Sequence, residues 1–453
     1  MSIMSNPASA QTYKKGSDPF LDQRTAVLVV VANMIGTGVF TTLGLQAAGV
    51  PDGAALLLLW ATGGLVALCG ALCYAELAAA LPRSGGEYHF LSRIYHPLLG
   101  QLAGWISVAV GFAAPTALAA MAMGRYAAAV LPVSPLAVAV AALLLVTGMH
   151  AFDLSLGRRF QVASTLLKLV VIALFCAVGL AHGVVQGSLP LAPTDATWAA
   201  VWSAPFGVSL IYVGYAYSGW NAAAYVVEEV RDPSRAVPRA LIAGTLIVTL
   251  AYLLLNLTFL RTTAYAELAG TVEVGALSAR AVFGAGGGVL MSLAISLLLV
   301  STMSAMVLAG PRVLERMGQD LTALRPLAAR NRRGAPMRAV LVHQGLALGF
   351  VLSDSFEGVL SFAGFTLTLF ALLTVAGVWR LRLSEPDLPR PFRVPLYPLP
   401  PLVFAVASLL GLLFLAWERP LPVVLAALLL AVSWWLVRDN ARIDRHSRDR
   451  PSG

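Results

Sequence analysis

Apolar runs long enough to cross a lipid bilayer recur along the whole chain, separated by short polar segments. A hydrocarbon core about 30 Å thick takes roughly 20 helical residues per crossing, so runs of that length set the class of protein. Windows near 25–48, 54–80, 97–130, 134–151, 159–182, 205–228, 239–260, 282–310, 337–353, 358–380, 399–417 and 421–437 satisfy or approach this length. They predict an all-α integral membrane protein with 12 transmembrane helices. The fourth and ninth windows are short and interrupted by polar residues, and a count of eleven or thirteen would reverse one terminus.

Composition agrees with lipid as the solvent. The 453 residues are 58% hydrophobic and 12% charged, against about 25% charged in soluble domains. A formal net charge of +9 would suit nucleic acid if it lay on one soluble face, but here Lys and Arg sit in short clusters between apolar runs and read as topology signals. With the N-terminus inside, the cytoplasmic segments collect Arg83, Arg93, Arg158, Arg159, Arg231, Arg235, Arg239, Arg312 to Arg338 and Arg380 to Arg393, and the exterior receives Arg261, Arg280 and Arg419. An even number of helices returns the C-terminus, with Arg438 to Arg450, to the cytoplasm. The expectation is a multi-pass protein of a bacterial inner membrane with both termini cytoplasmic. Residues 1–24 contain Lys14, Lys15 and Arg24 but no apolar core with a small-residue cleavage site, so no removable signal peptide is expected. Cys69, Cys73 and Cys176 lie inside apolar runs and read as small buried hydrophobes, with no metal site or cofactor expected.

Two helices carry breaks. The first contains Asn33-Met-Ile-Gly-Thr-Gly-Val-Phe40 and the sixth Tyr215-Ala-Tyr-Ser-Gly-Trp-Asn221. Five intervening crossings orient these helices oppositely, and interrupted helices at corresponding positions of two halves point to a transporter binding site. Glycines in membrane helices often serve only close packing. Matched placement favours a cavity, because unwound backbone in lipid is tolerated only where it lines one. The chain therefore divides into a tail at 1–24, a first repeat of helices 1–5 at 25–182, an inverted second repeat of helices 6–10 at 205–382, helices 11 and 12 at 398–438, and a tail at 439–453.

Further motifs are Cys73-Tyr-Ala-Glu-Leu77, Pro82-Arg-Ser-Gly-Gly-Glu-Tyr88, Pro97-Leu-Leu-Gly100, Gly104-Trp105 and Glu228-Glu-Val-Arg-Asp-Pro233. With the two breaks, they resemble the amino acid–polyamine–organocation transporter superfamily, and within it the L-type amino acid transporter and bacterial permease branch, over roughly residues 20–440. The resemblance implies the five-plus-five inverted-repeat (LeuT-like) fold with alternating access around the broken helices 1 and 6.

An unwound helix exposes N–H groups at the start of its second half and C=O groups at the end of its first, which suits the two ends of a zwitterion. The substrate carboxylate is expected at the N–H groups of Gly38 and Val39 and the Thr37 hydroxyl. Its ammonium is expected at the carbonyls of Met34, Tyr215 and Ser218, with Ile35, Gly36, Ala216 and Asn221 completing the site. Tyr215 stands where branch members carry an aromatic that closes over substrate; packing is its plain alternative. Lys168 lies about nine residues, or roughly 13 Å, in from the edge marked by Arg158 and Arg159. It either snorkels outward or, as the resemblance implies, places its ammonium where sodium-dependent relatives hold the ion, bracing helix 1 or exchanging protons. Glu76, Glu87 and Glu228 read either as ion-pair partners of Arg83, Arg93 or Arg231 or as an intracellular gate. Arg125 receives no role.

Helices 3, 8 and 10 carry no mid-span carboxylate, and a buried unpaired ammonium is expensive. Small or medium neutral amino acids are therefore expected as substrates, carried without sodium by exchange or proton coupling. Basic amino acids and polyamines are the alternative. A membrane enzyme would need a cluster of His, carboxylates or a nucleophile at one depth, which is absent. A channel or sensor shares the helix count. Oligomeric state and partner subunits are not legible.

Overall fold

The computed structural model describes residues 21–152, 155–331 and 334–448. Lys14, Lys15, most of the N-terminal tail and the side chains of Arg158, Arg159 and Arg438 onward lie outside the described residues. Among those described, eight helices are long and apolar enough to cross a membrane, or nine if one pair bent by 66° is a single span; three shorter apolar helices accompany them.

The first crossing is split into α1 (Gln23–Met34) and α2 (Gly38–Gly49). Helix α3 (Gly53–Ala80) starts where the Asp52 carboxylate accepts from the N–H of Ala55 at 2.7 Å. That carboxylate also receives the Thr197 hydroxyl at 3.0 Å. Asp52 is therefore a helix cap tied to a distant short helix at Asp195–Val201, a role the charge pattern did not show. Helix α4 (Glu87–Ile94) is too short to span and buries Glu87, Phe90, Leu91 and Ile94, the i, i+3, i+4, i+7 face of an amphipathic helix lying on the bundle.

The third apolar window divides into α5 (Pro97–Ile106), a π-helical stretch at Ser107–Ala113, and α6 (Ala114–Ala128). Pro115 has no N–H to give to the carbonyl four residues earlier, and its ring crowds that carbonyl, which is a physical cause for the widened turn. Helices α7 (Pro135–Phe152) and α8 (Ser155–His182) follow. The bent pair is α9 (Asp195–Val201) and α10 (Ala204–Ala216), the latter capped by Ser203 with Pro205 in its first turn.

Beyond α10 the chain does not resume as an α-helix. It turns through Tyr217–Asn221 and continues as 3₁₀ segments at Ala222–Tyr225 and Val227–Glu229. Helix α11 (Pro233–Thr262) and a short α12 (Tyr265–Leu268) lead to α13 (Val274–Asp320), which is longer than the window 282–310 because it includes a helical segment of ten residues before a kink at Gly284, φ 74°, and runs on to Asp320. The chain closes with α14 (Met337–Leu352), α15 (Phe356–Ser384), α16 (Leu399–Glu418) and α17 (Pro420–Arg448). The apolar run of the last helix ends at Val437, and its helical geometry continues through residues 439–448, expected in a tail.

The arginine-rich end is laced by carboxylates, with partners other than those expected. Glu76, 1% exposed, receives Arg382 through two N–H groups at 2.6 and 2.8 Å and the N–H of Val394 at 2.7 Å, with Arg390 at 3.6 Å. Arg93 makes a two-pronged pair with Glu385 at 2.7 and 2.8 Å, and Arg83 pairs with Asp320 at 3.5 Å. Glu228 bonds Ser84, and Glu87 bonds no arginine among the described residues. Sequence order could not supply these partners, because they lie more than a hundred residues away.

His89 on α4 is held neutral down to about pH 4, chiefly by burial and then by the positive charge of Arg83. The unfolded chain binds this proton near pH 6.5 and the folded one does not, so the contribution of His89 to stability falls as pH drops from 6.5 to 4. His89→Asn should flatten that segment of the curve. The check is melting temperature in detergent across this range: a wild-type minus variant difference that does not change with pH contradicts it.

Candidate functional site

The chain breaks at Ile35–Thr37 and Tyr217–Asn221 touch. A Cβ on Gly219, whose φ is 97°, would lie 2.7 Å from the backbone of Asn33, and one on Gly38 would lie 2.5 Å from the Cα of Ala216. Glycine is required at 219 on both counts: the conformation is left-handed and the other strand of the break leaves no room for a side chain.

Broken helices leave backbone groups without helical partners, and here most find others. The Met34 carbonyl accepts from the N–H of Gly36 at 2.8 Å and from the Tyr252 hydroxyl at 2.6 Å; that hydroxyl also lies 3.1 Å from the Ala216 carbonyl. The Ile35 carbonyl accepts from the Lys168 ammonium at 3.0 Å, and the Tyr215 carbonyl from the N–H of Ser218 at 2.8 Å. Thr37 opens α2 without a side-chain cap, so the first-turn N–H groups of Gly38 and Val39 stand at an uncapped helix start.

Lys168, 1% exposed, points at the break and not toward the basic edge. Its second contact is the Thr302 hydroxyl of α13 at 2.9 Å. Among the described residues no carboxylate hydrogen-bonds this ammonium. The buried cation is held by one carbonyl and one hydroxyl.

Met34, Gly36, Thr37, Gly38, Tyr215, Ala216, Ser218 and Asn221 line a cavity of about 190 Å³. Ile35 and Val39 do not line it; their side chains are packed in the core. Of the three carbonyls expected to face an ammonium, Met34 has both lone pairs engaged and Tyr215 one. The π-helical stretch supplies Ser107, Gly111 and Phe112 to the wall, α13 supplies Thr302 and Met306, and Glu87 lies at the lining's edge with Asn221 and Tyr225. Among the described residues no group of three or more His, Cys, Asp or Glu side chains could hold a metal ion.

Sequence reasoning missed Tyr252 and Thr302. Tyr252, fully buried, bridges the two breaks from the middle of α11. Its signal is present in Tyr252-Leu-Leu-Leu-Asn256, where a phenol and an amide one helical turn apart interrupt an aliphatic run. Trp220 packs against Tyr74 and Phe404 and supports the turn. Asn221 is directed away from the break, donating to Glu87 at 2.7 Å.

Apolar helices around two touching breaks that share one small cavity define a polytopic membrane protein of the carrier class. The chain belongs to the amino acid permease family: the model described as "Amino acid permease" matches residues 21–436. It is 27% identical over 409 residues to the b(0,+)-type amino acid transporter 1 of Mus musculus, covering 87% of this chain and 83% of that one. It is 29% identical over 412 residues to the large neutral amino acids transporter small subunit 2 of Homo sapiens, covering 86% of this chain and 75% of that one. Members of this family are transporters and not enzymes.

Gly219→Ala should lower stability by about 1–3 kcal/mol from the left-handed backbone alone, with the clash against Asn33 added. Gly214→Ala, where a Cβ meets nothing within 4 Å, should leave the melting temperature in detergent unchanged. Equal melting temperatures for the two variants would show that the breaks are not in close contact.

Proposed function

We propose that the protein is a sodium-independent carrier of small or medium neutral amino acids, working by alternating access between two inverted five-helix repeats within a twelve-crossing bundle, with both termini cytoplasmic. The observation that carries this reading is the pair of opposed breaks facing one cavity of about 190 Å³. That size suits a small ligand; pockets for drug-sized molecules are larger.

Helix pairing supports the inverted repeat. Elements at equal ordinal positions of the two halves pack on each other: α2 on α10 for helices 1 and 6, α3 on α11 for 2 and 7, α6 on α13 for 3 and 8, and α7 on α14 for 4 and 9. A pseudo-two-fold axis in the membrane plane produces such self-pairing near the axis.

The substrate carboxylate would meet the N–H groups of Gly38 and Val39 and the Thr37 hydroxyl at the positive end of α2. The ammonium would meet the carbonyls of Tyr215 and Ser218 at the negative end of α10. Glu87 is the carboxylate among the cavity-lining residues, and its oxygens already accept from Tyr74, Asn221 and Tyr225. Apart from Glu87, whose oxygens carry these bonds, no Asp or Glu among the described residues lines the cavity, and this favours neutral substrates. Both relatives named above are amino acid transporters by name.

Counterflow in sodium-free proteoliposomes with a panel of amino acids tests the reading. Neutral amino acids should exchange, and their amides or decarboxylated amines should compete poorly. Competition by these analogues equal to that of the parent amino acid would refute the carboxylate site, and a saturable sodium requirement would refute the coupling.

Lys168→Ala removes the bond that holds the Ile35 carbonyl and leaves that group and Thr302 without their donor. A loss of about 1.4 kcal/mol of bracing corresponds to about tenfold, so flux should fall by about that factor or more at every pH where the wild type is active. Loss restricted to pH-gradient-driven accumulation, with exchange intact, would assign proton exchange to this lysine instead. Wild-type flux throughout would remove it from the mechanism.

A further inference from the structure

The motif Pro82-Arg-Ser-Gly-Gly-Glu-Tyr88 was informative above only as a resemblance, and the structure gives it a physical task. It forms the corner between α3 and α4 and is stitched to the 3₁₀ segments that follow the break of span 6. The N–H of Gly86 donates to the Ala224 carbonyl at 3.3 Å, the N–H of Glu228 to the Ser84 hydroxyl at 3.0 Å, and the N–H of Ser84 to the Glu228 carboxylate at 3.4 Å. Asn221 donates its amide to Glu87 at 2.7 Å, and the Tyr225 hydroxyl donates to the other oxygen of the same carboxylate. Gly86 has φ 53°, and a Cβ there would lie 2.7 Å from the Tyr225 ring, so the ring rests directly on the glycine.

Glu87 is the centre of this contact. It is 6% exposed and takes a third hydrogen bond from Tyr74 of α3 at 2.7 Å. Its hydrogen-bond donors among the described residues are neutral, and two of the three belong to the segment beyond the break. Tyr225 in turn reaches the cavity wall: its hydroxyl lies 3.3 Å from that of Ser107, and its ring meets Phe112 edge-on at 5.7 Å, both on the π-helical stretch. Glu87, Asn221 and Tyr225 all line the cavity.

We propose that Ser84–Glu87 is a clasp that holds the inner half of span 6 against the α3–α4 corner and closes the cavity on its arginine-rich, cytoplasmic side, with Glu87 as the positioning residue. This rests on the proposed carrier function and topology. The physics favours a clasp over a fixed staple. Segments of 3₁₀ helix have poorer internal hydrogen bonds than α-helix and depend on outside contacts for their position. Bonds from neutral donors to a carboxylate can be handed to water when the segment swings toward solvent, whereas parting a buried arginine pair such as that of Glu76 would strand charge in the protein. Other links across this end include Arg83 with Asp320 and Arg312 with Glu229, exposed ion pairs of the kind worth about 0–1 kcal/mol and screened by salt, the Tyr88 hydroxyl on Asp320 at 2.9 Å, and a backbone bridge of Leu21 with Glu229 and Arg231 at 2.6 and 2.9 Å. Among these links Glu87 is the buried carboxylate that joins the corner to both Asn221 and Tyr225.

The test places one reporter cysteine, Ala309→Cys on the cavity wall contributed by α13, in a chain whose three native cysteines are replaced. A membrane-impermeant maleimide is applied to one face at a time, in inside-out and right-side-out vesicles. Glu87→Ala should raise the labelling rate from the cytoplasmic face about tenfold or more, an opening favoured by about 1.4 kcal/mol, and lower it from the opposite face. Tyr225→Phe and Ser84→Ala, which each delete one hydroxyl, should shift both rates in the same directions by smaller factors and carry the test if Glu87→Ala does not fold. Rates unchanged from both faces in the folded variants, or rising equally from both, would overturn the clasp. The vesicle labelling is read without substrate, so a wild type that exchanges no amino acid would refute the carrier reading while leaving the clasp result standing.

Discussion

A membrane offers backbone groups no water, so every N–H and C=O released by a broken helix must find a partner inside the protein. This constraint organises the centre of the molecule. The Met34 carbonyl is taken by Gly36 and Tyr252, that of Ile35 by Lys168, and that of Tyr215 by Ser218. Helices α8 and α11 are thereby fixed relative to the breaks, because each delivers one polar side chain to a carbonyl that would otherwise be stranded. What remains uncovered is the uncapped start of α2, and that is where a ligand has something to gain.

Three buried ionisable groups show three solutions to the cost of charge out of water. Glu76 is surrounded by two arginines and a backbone N–H, and parting such an arrangement leaves uncompensated charge at about 3–5 kcal/mol. It belongs to parts that stay together, joining α3 to the end of α15 and the loop beyond. Glu87 is satisfied by neutral donors, and Lys168 by a carbonyl and a hydroxyl. These last two can trade partners without stranding an opposite charge, and both sit on the boundary between a broken span and its neighbours.

The sequence made the membrane class, the two breaks and most helix limits legible, because apolar length and matched glycine positions are local properties. The spans read at 54–80, 337–353 and 399–417 correspond to α3, α14 and α16 within a few residues. The π-helical turn before Pro115, the kink at Gly284 and the 3₁₀ character after Asn221 were not legible, since each depends on packing against another element. The site was half legible. Residues of the breaks themselves could be named, yet Tyr252, which binds them, and Thr302, which receives Lys168, lie on helices that look nearly uniform in sequence. The carboxylates were recognised as candidates, but their partners are set by the folded bundle and could not be read from spacing.

The two breaks share Tyr252, and their other anchors differ. Span 1 is held at its break by Lys168 of α8 and Tyr252 of α11, while the inner segment of span 6 is held one layer further toward the arginine-rich end by the α3–α4 corner. Releasing Glu87 would free the 3₁₀ segments without removing a donor from the Ile35 or Met34 carbonyls. Releasing Lys168 would strand the Ile35 carbonyl while leaving the Glu87 contacts whole. Tyr225 and Phe112 connect the levels, since Tyr225 touches both the clasp and the cavity wall. On the proposed function, a ligand that alters the packing of Phe112 acts on the inner closure through this ring pair.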